Sequence, residues 1–144
     1  MITVKRVFIV DTNVLVAGLI TAVTSSATAR IVDAMLAGNI IYLISPALLQ
    51  EYRAVLLRPK LVRLHGLKES EIDDLLTVIT ANAVWHDPTS GIGGDAPDPG
   101  DNHLWDLLSS EHGAILITGD GLLRDRPPAE SSIISPATMV KSFL

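Results

Sequence analysis

Short continuous apolar runs alternate along the chain with segments whose apolar residues recur every three to four positions, a pattern that predicts strands interleaved with helices. Val7–Val10 is a β-branched and aromatic run without helical spacing, bounded by charge before it and Asp11 after it, and predicts a buried strand. The apolar stretch Val14–Ile20 follows, so the N-terminal segment reads as a strand and then a helix. Thr24-Ser25-Ser26 offers capping hydroxyls to a helix with Ala27, Ile31, Ala34 and Met35 on one face and Gly38 at its C-terminal end. Ile40–Ile44 predicts a second buried strand. Ser45-Pro46 then opens a helix in cap-then-proline order, with Leu48, Leu49, Tyr52, Val55 and Leu56 as its apolar face and Arg58-Pro59 as its end.

After a short Leu61–Leu64 piece, Glu69–Ala81 has the spacing of an acidic amphipathic helix with Ile72, Leu75, Leu76 and Ile79 inward, and Ala83–His86 predicts a third strand. The stretch Asp87–Asp101 (DPTSGIGGDAPDPGD) is rich in Gly, Pro and Asp and predicts a flexible loop beside a site, without regular structure. A helix from Asn102 to about His112 and a strand at Ala114–Thr118 follow. Then come a turn at Gly119-Asp120-Gly121, a Pro127-Pro128 break, a short strand at Ser132–Ile134 and a last helix from Pro136. Alternating strands and helices, each strand a continuous apolar run, imply βαβ units and a parallel sheet covered on both faces. No internal repeat or low-complexity segment interrupts the pattern, and 144 residues is the size of one compact domain, 1–144.

Composition removes several chemistries. With no cysteine, disulfide scaffolds, thiolate nucleophiles, zinc ribbons and iron–sulfur clusters are excluded together. His65, His86, His103 and His112 do not pair at a zinc-binding spacing and read as surface or packing residues. Lys5 and Arg6 precede an apolar stretch, but Asp11 and Asn13 interrupt it and no small-residue cleavage pattern follows, so no export signal is expected. No uncharged apolar run approaches the roughly 18 to 20 residues of a membrane span, which makes a cytoplasmic protein without a membrane partner the expectation. The net charge of −5 opposes a nucleic-acid partner, yet it is segregated: residues 1–68 carry +5 and residues 69–144 carry −10. Such asymmetry allows a basic surface beside an acidic region that holds cations, or simply a solvated surface.

Open parallel sheets bind ligands at the carboxyl ends of their strands, and four acids map there. Asp11 directly follows the first strand, Asp120 lies just past the strand ending at Thr118, Asp101 begins a helix, and Glu51 lies in the second turn of the helix after the second strand. Each has an ordinary alternative: strand terminator for Asp11, turn residue for Asp120, helix cap for Asp101, solvated face for Glu51. Together they would repel and have raised pKa values unless a cation neutralised them. An all-oxygen set suits Mg²⁺ or Mn²⁺, which lower the pKa of water and neutralise charge on phosphate oxygens. Asn13 and Thr118 bring neutral oxygens to the same edge, either to orient a carboxylate or to serve turn and strand-end hydrogen bonds, and Asp98 is either a further acid or a plain turn residue.

Competing motifs fail. There is no GxxxxGK[ST] loop and no GxSxG elbow, and Gly91, Gly93 and Gly94 lack the context of a dinucleotide fingerprint. A haloacid-dehalogenase-like phosphatase needs a second acid where Asn13 stands, and a receiver-like phosphoacceptor needs a late lysine, whereas Lys141 is alone after residue 69. The residues that remain, V-D-T-N-V at 10–14, Glu51, D-P-G-D-N at 98–102 and I-T-G-D at 117–120, resemble the PIN-domain family over nearly the whole chain. They are most similar to its bacterial toxin subgroup (VapC-like). The resemblance implies a three-layer α/β/α sandwich with a parallel sheet of about five strands. It implies Asp11, Glu51, Asp101 and Asp120 as metal-site acids, with Asn13 and Thr118 in support. It further implies Mg²⁺- or Mn²⁺-dependent endonucleolytic cleavage of RNA, a homodimer, and restraint by a cognate antitoxin. The insert at 87–100 departs from the family pattern and leaves open which of Asp98 and Asp101 lies nearer the metal. A catalytically weak PIN-like interaction module and a small-molecule phosphatase are the alternatives.

Overall fold

The computed structural model describes residues 6–128 and 131–144. Lys5, one of the basic pair ahead of the first strand, lies outside the described residues. The chain forms β1 (Val7–Val10), α1 (Thr12–Ile20), α2 (Ala27–Ala37), β2 (Ile41–Ile44), α3 (Pro46–Leu56), α4 (Pro59–His65) and α5 (Glu69–Ala81). It continues with β3 (Val84–Trp85), a 3₁₀ turn (Pro99–Asp101), α6 (Asn102–Ser110), β4 (Ile115–Ile117), α7 (Gly121–Asp125), β5 (Ser132–Ile134) and α8 (Pro136–Phe143). The strands make one five-stranded sheet in the order β3-β2-β1-β4-β5, and all its pairings are parallel.

Successive strand residues point to opposite faces, so a strand buried at every position has cover on both sides. That holds for Phe8, Ile9 and Val10 of β1 and for Ile115, Leu116 and Ile117 of β4. Helices supply the cover, as α1 packs on α2, α2 on α8, α3 on α5, and α6 on β1 and β4. The result is the α/β/α architecture expected from the alternating pattern. Caps sit where the hydroxyls predict them at Ser26 and Ser45, which accept from the backbone N–H groups of Ala29 and Leu48, and Ser135 caps the last helix in the same way by accepting from Thr138 N. Gly38 closes α2 in the left-handed region at φ 71°. Gly18 serves a different need, since a Cβ there would lie 2.5 Å from Val32 Cγ2 and 2.6 Å from the Thr28 carbonyl where α1 crosses α2.

Two expectations are corrected. The 87–101 stretch is fastened rather than flexible: Asp106, buried on α6, accepts hydrogen bonds from Gly91 N (3.2 Å) and Gly93 N (2.9 Å), and Asn102 Oδ1 accepts from Ala96 N (2.8 Å). Gly93 lies so close to the Trp105 backbone that a side chain would overlap it. The stretch also contains regular structure, the 3₁₀ turn, started when Asp98 accepts from Gly100 N. Likewise, Gly119-Asp120-Gly121 leads directly into the short helix α7 rather than forming an isolated turn. Among the described residues, no helix is long and apolar enough to cross a membrane.

Candidate active site

The chain begins at the middle of the sheet, adds β2 and β3 on one side of β1, then returns to add β4 and β5 on the other. This reversal opens a crevice between the carboxyl ends of β1 and β4, where parallel sheets place ligands. Val10 is in register with Ile117, and Asp11 N donates to the Ile117 carbonyl (3.0 Å), so Asp11 and Thr118 emerge side by side. Both are buried. The Thr118 hydroxyl donates to Asp11 Oδ2 (2.7 Å), Asn13 Nδ2 donates to the same oxygen (3.1 Å), and Thr12 N donates to Oδ1 (2.7 Å). Thr118 Oγ1 in turn accepts from Asn13 Nδ2 (3.2 Å) and Asp120 N (3.0 Å), while Asn13 Oδ1 accepts from Gly119 N (3.0 Å). Asn13 and Thr118 therefore orient the Asp11 carboxylate and the Asp120 turn together.

Helix α3 brings Glu51 in because Leu48, Tyr52 and Leu56 face the core and Glu51 shares their side. The Tyr52 hydroxyl donates to the Val10 carbonyl, which ties α3 to the end of β1. Glu51 is not on a solvated face: Thr12 Oγ1 donates to its Oε1 (2.6 Å) and His103 Nε2 lies 2.8 Å from its Oε2. Thus both oxygens of Glu51 are engaged. His103 corrects the reading of the histidines as surface or packing residues, since its ring is placed against an acid of the site. Its Nδ1 is buried and has no partner among the described residues, so the Nε2–H form donates to Glu51. Glu51 and His103 are far apart in sequence, and a search for histidine pairs cannot find such a contact.

Asp101 closes the 3₁₀ turn and stands at the start of α6, yet its side chain makes no capping hydrogen bond, which removes the ordinary helix-cap explanation. Asp98 does behave as a turn residue, and Asp101 rather than Asp98 faces the cleft. Asp120 caps α7 by accepting from Leu122 N (2.9 Å) and lines the same cleft. The cleft measures about 600 Å³ and is lined by Asp11, Glu51, Asp101 and Asp120 at its acidic end. Arg58, which the sequence marks only as a helix end, lines it too.

Electrostatics separates these acids. Burial pushes the Asp11 carboxyl up, against the lowering effect of its bonds from Thr118 and Thr12, and the Glu51 charge pushes the same way as burial. The bond from His103 holds Glu51 below the usual carboxylate range despite partial desolvation, with Thr12 and the nearby charges of His103 and Arg58 adding to it. Desolvation first, then the charges of Asp11, Asp98 and Glu51, raise Asp101 to about 6. A hard divalent cation relieves that kind of repulsion, and carboxylate oxygens are the donor type such an ion takes. The four acids do not, however, converge on one point as the sequence reading expects. Among the described residues, no three acidic or histidine side chains are gathered closely enough to hold an ion.

The sequence model of one family, described as PIN domain, matches residues 7–121, from the first residue of β1 to the first of α7. The chain belongs to the PIN-domain family. The match takes in all four acids, Asn13, Thr118 and His103, and it gives the chain a nuclease-type fold. PIN domains are generally nucleases that use divalent metal ions. No curated protein matches the chain.

The cations of the N-terminal half of this PIN domain, which the charge asymmetry left open as a basic surface or a solvated one, are divided. Arg53 is spent on α5, with its guanidinium 2.7 Å from Glu69 Oε1 and 2.8 Å from Asp73 Oδ1. Arg58, Lys60 and Arg63 are exposed at and along α4.

Proposed function

We propose that this PIN domain is a Mg²⁺- or Mn²⁺-dependent endoribonuclease whose catalytic and metal-holding residues are Asp11, Glu51, Asp101 and Asp120. The observation that carries the reading is the pairing, in one cleft, of two carboxylates fixed by hydrogen bonds with a third, Asp101, whose carboxyl is raised to about 6 by desolvation first and by its acidic neighbours second. A bound divalent ion would supply an activated water and neutralise charge on the phosphate. Thr118 and Asn13 orient Asp11, and Thr12 and His103 orient Glu51, so both carboxylates are positioned before substrate enters. RNA as the substrate rests on the motif resemblance, as do the homodimer and the role of toxin restrained by a cognate antitoxin.

The chemistry is tested by titrating Mg²⁺ and Mn²⁺ against a panel of RNAs with the Asp11→Asn variant as control. Cleavage should require the metal and vanish in the variant; equal cleavage in EDTA defeats the reading. The toxin role predicts growth arrest on induction, relieved by co-expression of a small adjoining gene. Sedimentation tests the dimer.

A further inference from the structure

Beyond its acids, the cleft has a wall of another kind. Val16, Ala17 and Ile20 of α1 and Val55 of α3 present aliphatic surface, and Arg58 stands past the end of α3. The hydrolysis proposed above uses none of them. Arg58 is exposed, and among the described residues its side chain takes part in no ion pair, whereas Arg53 on the preceding helix is held by two carboxylates. Arg58 lines the same cleft as the four acids. A cleft of about 600 Å³ is of the size that encloses a whole small ligand rather than a phosphate group alone.

We infer that this wall is a nucleotide subsite: Arg58 holds a phosphate next to the one cleaved, and the base between them lies on Val16, Ala17, Ile20 and Val55. The inference rests on the nuclease reading and extends it. A guanidinium matches a phosphodiester by a two-pronged hydrogen bond, and an aliphatic wall accepts the face of any base without reading its edge. Only a base freed from a complementary strand can turn its face to that wall. The subsite therefore selects unpaired strands and is tolerant of sequence at that position.

The test uses the full chain, with Arg58→Ala and Arg58→Lys beside wild type, and a labelled unstructured 20-mer RNA. Binding is followed by fluorescence anisotropy across a NaCl series in Ca²⁺, and cleavage in Mn²⁺. Arg58→Ala should bind about tenfold more weakly, with a plot of log affinity against log salt shallower by about 0.7, the value of one single-strand phosphate contact. Its KM should rise while kcat stays within about twofold, and Arg58→Lys should recover the salt slope but not the full affinity. On a trinucleotide, too short for alternative registers, an abasic nucleotide at one of the positions should weaken binding more than at the others, and a duplex of the 20-mer sequence should compete poorly. An unchanged slope and KM in Arg58→Ala, a loss in kcat alone, a flat abasic scan or an equally good duplex each overturn the subsite while leaving the nuclease intact. Wild type that neither binds RNA with salt dependence nor cleaves it in Mn²⁺ overturns both.

Discussion

The two sides of the acidic cleft are built differently. On the β1/α3 side, Asp11 receives hydrogen bonds from Thr12, Asn13 and Thr118, and Glu51 is engaged at both oxygens by Thr12 and His103. On the β4/α6 side, Asp101 has no side-chain hydrogen bond among the described residues, and Asp120 only caps its own helix. The donors hold Glu51 below the usual carboxylate range and offset part of what burial does to Asp11, so the first side is fixed in position while the second depends on what enters the cleft. Preorganisation and ligand response are thus divided between two halves of one site.

The comparison breaks most sharply at Asp11. Asp11→Asn keeps the shape and an acceptor for Thr118 but turns its other oxygen into a donor facing Thr12 N, a cost that removal of the buried charge offsets in part, so the fold should survive with a modestly lower Tm. Turnover should nevertheless fall by about 10³-fold, in the range seen when one preorganised electrostatic group is removed. A loss under tenfold would move the centre of the site to the other side. Smaller effects should follow from removing the donors and leaving the acids. His103→Ala and Thr118→Val should each weaken Mn²⁺ binding by about 10- to 100-fold, read by calorimetry, with little change in circular dichroism. If Mn²⁺ affinity is unmoved in both, these bonds serve folding alone.

Sequence and structure agree best where one residue's neighbours in the chain decide its surroundings. Asp11 at the end of a β-branched strand and Asp120 past the next central strand were legible because strand order in a parallel sheet brings their ends together. The caps at Ser26 and Ser45 and the apolar faces of α3 and α5 follow from local spacing for the same reason. His103, Thr12 and Arg58 were not legible as partners of Glu51 or of the cleft. Their contacts join α1, α3 and α6, which are distant in sequence, and periodicity carries no information about which polar groups meet.

The 87–101 stretch failed for a different reason. Its composition suits a loop, but its position is set by Asp106, whose oddity was visible as an acid amid the buried Leu104, Trp105, Leu107 and Leu108 of α6. Asp106→Asn turns one accepting oxygen into a donor facing Gly91 N or Gly93 N, and should cost about 1–3 kcal/mol in urea unfolding. It should also loosen the Asp101 side of the cleft first. That appears as faster amide exchange at 91–96, with the Asp11 side unchanged. Uniform exchange across both sides would remove the distinction between them.

The smallest expected effect tests the distinction directly, at Asp101. Its carboxyl is raised from 3.8 to about 6, so the folded chain binds this proton more tightly than the unfolded chain. The sign follows: the contribution to stability is complete below about pH 4 and is lost as pH rises through about 6. In buffer free of divalent ions, Asp101→Asn should therefore match wild type near pH 4 and exceed it at pH 7.5. Solvent reaches much of this side chain, so the gain should be only about 1–3 °C in Tm. Saturating Mn²⁺ at pH 7.5 should reverse the order, because an ion that binds only the folded wild type stabilises it in proportion to the logarithm of its concentration over Kd. A side that waits for a cation is destabilised without it and stabilised with it. If Asp101→Asn is less stable than wild type at every pH without metal, Asp101 is held by the fold as Asp11 is, and the two sides of the cleft are alike.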